Sequence, residues 1–451
     1  MMINGADVRS VAGNLAIVLA FAAVFAQLFG FAVPWPVWAG VFALHFLVHF
    51  DRLKRNARII LSIGVALFAG GWLLAGGAPG NGFERAGFLF VFLLVMQYLA
   101  DLAARSPEIG RAAETIVTRP PGQRYLFVTL GSHVLALFLQ IGAVILIMTL
   151  LMSRLKDANE AMVRSLTVAQ TRGFTGTALW SPLSLGILIV FSHVPDVSYI
   201  GFVPGGLAGA AFFLAVGYWM ERGRRAKVPG MAAISTAEKW TLARVVALAA
   251  LLVVSGLAWV GIFDVPLIEG MFTVVLILGI LWSAVSISGG RMSFGQGAAS
   301  LSNAGSSLVN EIGIIAGATV IGGVGEVLLE HWGGLQGSVS LEMASILALA
   351  IPWAIFAFGM IAMNPVLSVT ILSGALNGIW PDAAKFWLIC ALTWGWAIAS
   401  GGTPFTANML ITAQKVGREA PTVALAWNGR FSLLMLACFS VAAALGTFFW
   451  S

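Results

Sequence analysis

The chain has 451 residues, of which 59% are hydrophobic and only 10% charged, and its mean hydropathy is +0.94. Soluble domains carry about 25% charged residues, so a soluble fold is excluded and lipid must solvate much of this surface. The net charge of +6 is spread over short basic clusters between apolar runs. Clusters of that kind set orientation in a bilayer, and no basic, aromatic-interleaved module points to a nucleic-acid partner.

A membrane span needs about 20 predominantly apolar residues. The first predicted spans cover about 14–33, 37–50, 59–77 and 88–104. The first run lacks a small-residue cleavage pattern and reads as a span rather than a removable signal. Arg52, Lys54, Arg55 and Arg58 lie between the second and third spans, and Arg105, Arg111, Arg119 and Arg124 follow the fourth. By the positive-inside rule both loops are cytoplasmic, and so is the N-terminus, in a cell (inner) membrane. A long apolar run then covers about 125–152, and a polar, helix-prone stretch from Ser153 to Gly173 interrupts the hydropathy pattern. Further spans are expected at about 177–194 and 200–220. The strongest basic cluster, with Arg222, Arg224, Arg225 and Lys227, sits almost at the midpoint of the chain. We read 221–240 as a cytoplasmic linker between a first transmembrane half, 1–220, and a second, 241–451. The second half offers spans near 241–263, 271–290, 308–328, 343–362, 386–400 and 431–450, with Gly-rich or polar pieces between them. The expected fold class is all-α, a polytopic membrane protein of about 10–12 transmembrane helices.

The two halves carry an echo of each other. Gly176-Thr177 is followed by Pro195 and Val197, and Gly402-Thr403 by Pro421 and Val423, every match offset by 226 residues. With the 222–227 cluster inside, the Gly176 turn is approached from the outer side, whereas Lys415, Arg418 and Arg430 put the end of the Gly402 turn's segment near the inner side. The expectation is two inverted repeats with re-entrant or interrupted helices, the plan by which many secondary transporters build a substrate site. A helix that stops in lipid leaves backbone N–H and C=O groups that must find partners, and a solute or ion is one such partner.

Small and hydroxyl-bearing residues concentrate after the apolar run that ends at Ala399: Ser400, Gly401, Gly402, Thr403, Thr406 and Asn408. Glycine lets backbone approach a ligand; Thr and Asn oxygens coordinate cations, and the Thr hydroxyl and Asn amide N–H groups donate to anions. In this segment the sequence resembles the ion transporter superfamily, which includes divalent-anion/sodium symporters, citrate transporters, and the arsenite and sodium/proton antiporter branch. Gly401-Gly402-Thr403 with Ala407-Asn408 is similar to the turn those proteins carry late in each half. The stretch from Phe358 to Leu376, with Asn364-Pro365, resembles their Asn-containing hairpin tip. Thr175 to Gly186, with Gly176, Thr177, Ser181 and Ser184, resembles the partner turn of the first half. No Ser-Asn-Thr stands at either tip; Ser302-Asn303 lies elsewhere. The resemblance implies an elevator-type homodimer with a scaffold and a moving transport domain.

Glu311 precedes an apolar run: inside the membrane a carboxylate tends to be functional and would carry a coupling proton, and the alternative is a helix end in the headgroup region. His45 and His49 are spaced i, i+4 on one helix face, but with no completing ligand set they read as interfacial packing. His133 and His193 read as satisfied buried imidazoles, and Cys390 and Cys438 as small apolar residues. No metal site, no Ser-His-Asp spacing and no phosphate-binding or dinucleotide motif is found. The function expected is therefore that of a secondary active transporter, not an enzyme, with no cofactor beyond Na+ or H+ as coupling ion. Its partners would be a small anionic solute, a carboxylate or inorganic anion, and the lipid bilayer. The alternatives are a membrane-embedded enzyme acting on a lipid-linked or phosphorylated substrate, and a membrane subunit of a larger complex.

Overall fold

Apolar composition forces the backbone to satisfy its own hydrogen bonds in lipid, and every element of the computed structural model described here is helical. The structure describes residues 5–75, 80–155, 158–222, 234–290, 292–331 and 338–449. In chain order the helices are α1 (Gly5–Leu28), α2 (Trp35–Val48), α3 (Arg55–Ala75), α4 (Asn81–Ala104), α5 (Pro107–Val117), α6 (Pro121–Leu139) and α7 (Ile141–Arg154). They continue with α8 (Glu160–Gly176), α9 (Leu185–His193), α10 (Tyr199–Met220), α11 (Thr236–Phe263), α12 (Leu267–Ser288) and α13 (Phe294–Ser307). The last are α14 (Val309–His331), α15 (Leu341–Met360), α16 (Pro365–Asn377), α17 (Lys385–Gly402), α18 (Ala407–Val416) and α19 (Gly429–Phe449). Among the described residues, ten helical segments are long and apolar enough to cross a membrane, one of them running through α17 and α18. The chain is thus an all-α, polytopic membrane protein.

The helices gather into two compact units, each drawing on both chain-order halves. One comprises 1–99, 268–338 and 370–379; the other comprises 100–267, 339–369 and 380–451. Of the 221–240 segment read as a linker, 223–233 lies outside the described residues.

In the first unit α3 lies against α14 because glycine removes the side chains that would hold them apart. A Cβ on Gly64 would stand 3.1 Å from the carbonyl oxygen of Gly317, and one on Gly317 would stand 2.8 Å from that of Ile60. Gly313 and Gly317 form the small-xxx-small spacing that membrane helices use for close approach. Arg85 closes the far end of α14 with an ion pair to Glu326 at 2.6 Å. His45 is fully buried in this unit and packs against Phe90. His49 Nδ1 lies 3.0 Å from the carbonyl of His45, so the i, i+4 spacing serves a local contact.

The second unit contains a departure from the hydropathy reading. The apolar run 125–152 is two helices, not one, because Gln140 adopts φ 49°, ψ −130° between α6 and α7. Arg154 at the end of α7 pairs with Glu114 of α5 at 3.0 Å, and α5 immediately precedes α6. The chain therefore turns at Gln140 and comes back to the level at which α6 began, as a re-entrant hairpin. A second turn, with Ala362 at φ 65°, separates α15 from α16. The polar stretch before Gly173 is also helical, as α8, whose residues from Ser165 to Gly173 are all buried. It lies against α6 and α17 rather than lipid, which is how a helix too polar for the bilayer persists inside a membrane protein.

Candidate functional site

Two helices in the second unit stop at equivalent places: α8 ends at Gly176 and α17 at Gly402, the same pair the sequence echo aligns. Each is followed by a break and a short helix, α9 or α18, and then a long apolar one, α10 or α19. The contacts repeat with the sequence. Gly186 at the start of α9 abuts the ring of Trp396 on α17, and Thr412 of α18 donates to Gln170 Oε1 of α8 at 3.4 Å. Gly186 and Thr412 are 226 residues apart, and so are Gln170 and Trp396. When residue i meets j′ and j meets i′, the two broken-helix segments are related by a local two-fold pseudosymmetry. Its axis passes through a pair that is its own mate: a Cβ on Gly401 would stand 2.9 Å from Thr175 Cγ2 and 3.2 Å from Thr171 Cγ2, and Thr175 and Gly401 are likewise 226 apart. The two helix ends meet there, with no room for a side chain on Gly401 while Thr175 keeps its methyl.

A helix that stops leaves its last carbonyls without partners, and side chains meet most of them here. In the first break, His133 Nδ1 binds Gly173 O at 3.0 Å while its Nε2 accepts from Trp180 Nε1 at 2.9 Å. That pairing fixes a neutral imidazole with the proton on Nδ1. Tyr199 donates its hydroxyl to Trp180 O, and Gln140 reaches Leu183 O at 3.3 Å. In the second break Ser400 O accepts from Thr406 Oγ1 at 2.8 Å and from Asn408 Nδ2 at 3.5 Å. Gly401 O accepts from Asn428 Nδ2 at 2.9 Å.

Asn428 is held in turn by a buried arginine. Arg172, 1% exposed, donates from Nε to Asn428 Oδ1 at 2.9 Å and from Nη1 to Tyr125 Oη at 3.0 Å and Gly217 O at 3.1 Å. Glu221 Oε1 pairs with the same Nη1 at 3.7 Å, and the guanidinium lies 4.2 Å over the Phe431 ring. A buried charge is tolerable only when so paired. The result is a rigid strut from α6 and α10 through α8 to the end of α17.

Three polar atoms at this junction remain without a hydrogen-bond partner among the described residues: Gln170 Nε2, Thr171 Oγ1 and Asn408 Oδ1. Their residues are between 0% and 4% exposed. An unsatisfied buried polar group costs about 1–3 kcal/mol, so these are the atoms for which a ligand offers the most.

The sequence-nominated residues fall as follows. Thr175 and Gly401 touch. Gly176 abuts His133 and Leu214, and Gly402 abuts Ser432 and Phe356. Thr403 packs against Gly359 at the end of α15 and donates to Ala399 O at 2.8 Å. Ser400, Thr406 and Asn408 converge on one carbonyl, as above. Thr177 and Ser181 make hydrogen bonds within the first break, with Phe174 O at 2.7 Å and Leu183 N at 3.2 Å, and Ser184 precedes the first residue of α9. Asn364 Oδ1 accepts from Val366 N at 2.9 Å and so caps α16, five residues on from Gly359. Glu311 belongs to the other compact unit. It is exposed in the first turn of α14, beside Asn310, whose Oδ1 accepts from Lys54 N at 2.6 Å. Gln140, Gln170, Thr171, Arg172 and Asn428 are the site residues that the sequence reading did not nominate.

The architecture is that of a multi-pass membrane protein with paired broken helices. No protein-family model matches the chain, and no curated protein matches it. Among solved structures it is similar to the crystal structure of the Alcanivorax borkumensis YdaH transporter, described as having an unusual topology. The TM-score is 0.55 at 16% sequence identity, over 87% of this chain and 98% of that one. At that identity the likeness is one of fold.

Proposed function

We propose that the chain is a secondary active transporter that holds its solute where the ends of α8 and α17 meet. The observation that carries this reading is the on-axis contact of Thr175 with Gly401, beside three buried polar atoms that lack partners. A fold shared with a transporter supports it, as does the resemblance of the Gly401 and Thr175 turns to the ion transporter superfamily. The sequence has no nucleotide-binding motif, so an ion gradient supplies the driving force.

The chemistry of the junction favours a small anion as solute, a carboxylate or an inorganic anion. Residues 165–186 and 395–414 contain no Asp or Glu, so nothing there repels negative charge or pairs with a cationic solute. The N-termini of α9 and α18 offer N–H groups, which favour anions. The carbonyls and hydroxyls of the breaks suit a sodium ion; if a proton couples instead, Glu311 carries it. On this reading the protein works as an elevator-type homodimer in the inner membrane with its N-terminus in the cytoplasm.

Uptake of labelled carboxylates and inorganic anions into proteoliposomes, with imposed sodium or pH gradients, tests the proposal. At least one anion should accumulate only when a gradient is present, and Asn408→Ala should reduce its uptake by about tenfold or more, as the loss of one good polar contact implies. Uptake indifferent to both gradients, or unaltered in both Asn408→Ala and Thr403→Ala, overturns it.

A further inference from the structure

A cavity lies beside Arg172, at the end of α10. Its volume is about 270 Å³, and it is lined by Arg164, Arg172, Glu221 and Arg430, with Trp219, Met220, Trp427 and Phe431 among its walls. Among the described lining residues three guanidinium groups stand against one carboxylate, a surplus of two positive charges. Glu221 leans on Arg172 at 3.7 Å. Arg164 Nη2 donates to Trp427 O at 3.2 Å, which fixes its head at the cavity. Arg430 is exposed and makes no ion pair among the described residues. It stands in the first turn of α19, a helix of 21 residues, whose N-terminal N–H groups add to the positive field. Trp427 closes a π-helical turn, Thr422–Trp427; such turns recur at functional sites.

We propose that this pocket binds a phosphate-bearing anion. Arginine's planar fork matches phosphate oxygens in pairs, and a phosphate monoester carries roughly −1.5 to −2 at neutral pH, which matches the surplus. The volume is just under the range of about 300–1,000 Å³ for drug-sized ligands, so it takes a headgroup or a small ion rather than a whole metabolite. The place fits as well. The cavity sits where α10 ends and α19 begins, and Glu221 on its wall directly precedes Arg222 in sequence, where the charge pattern puts the cytoplasm; basic pockets between transmembrane helices on that side hold anionic headgroups. Trp219 and Trp427 supply the amphipathic rings typical of that depth. A free phosphate and a lipid phosphate present the same oxygens, and the source is distinguished by experiment.

The full-length protein is placed in phosphatidylcholine nanodiscs, and its melting temperature is followed in two arms. One titrates inorganic phosphate against chloride at equal ionic strength, and the other replaces part of the phosphatidylcholine with phosphatidic acid. Stabilisation by phosphate identifies a free ion, and stabilisation by phosphatidic acid alone identifies a headgroup. In either case Arg430→Gln and Arg164→Gln should each weaken binding about tenfold or more, and Arg430→Gln should melt like the wild type without ligand. Arg430 is exposed, so its replacement leaves the fold intact. No stabilisation beyond chloride in either arm, or equal stabilisation of both variants and the wild type, overturns the proposal.

Discussion

Asn428 offers the sharpest perturbation, because one side chain links two strained necessities. It accepts from the buried Arg172 and donates to the carbonyl that α17 loses by stopping, each at 2.9 Å. Asn428→Ala deletes both legs. A hydrogen bond to a charged group contributes about 1.5–3 kcal/mol, and an unsatisfied buried carbonyl costs about 1–3 kcal/mol. The remaining partners of Arg172 (Tyr125, Gly217 and Glu221) still hold it, so we take about 3–5 kcal/mol as the total. Asn428→Asp keeps the Arg172 leg, strengthens it by charge, and loses only the carbonyl leg, which leaves a cost of about 1–2 kcal/mol. At about 2 °C per kcal/mol for a large chain, thermal unfolding in nanodiscs should place the Ala variant about 6–10 °C below the wild type and the Asp variant about 2–4 °C below. Both should lose uptake, since both release the Gly401 carbonyl. An Ala variant melting within about 2 °C of the wild type, or the two variants melting together, would refute the reasoning that the strut bears on the helix end.

Three further outcomes follow from the same geometry. Gly401→Ala puts a methyl 2.9 Å from Thr175 Cγ2 and should cost about 1–3 kcal/mol by overpacking; adding Thr175→Ser, which removes that methyl, should recover most of the loss in a double-mutant cycle. Thr171→Val removes an unpartnered hydroxyl at nearly constant volume, so melting should hold or rise by about 1 kcal/mol in equivalent stability while uptake falls, the trade-off expected where a site is kept unsatisfied for a ligand. Gly317→Leu drives a side chain into the backbone of Ile60 and should prevent α3 from packing on α14, read as loss of monodisperse protein after detergent extraction.

The sequence revealed the breaks better than the supports. Gly176-Thr177 and Gly402-Thr403 could be aligned because glycine and proline punctuate a chain visibly, and the helix ends fall at those glycines. The hairpin at Gln140 was hidden: a positive φ on glutamine is set by packing and leaves no compositional mark, so the run 125–152 looked continuous. The α8 helix was visible as polar and helix-prone, yet hydropathy measures affinity for lipid and cannot report that protein covers the helix. Arg172 and Asn428 lie 256 residues apart, beyond the reach of any local pattern.

The proposed transport site stands on two interrupted helices touching at their ends. Cysteines at 175 and 401, with Cys390 and Cys438 replaced by alanine, would test that contact in native membranes using a membrane-permeant oxidant. Bridging within one chain should be rapid on oxidation and undone by reduction. Cysteines that stay reduced would contradict the contact.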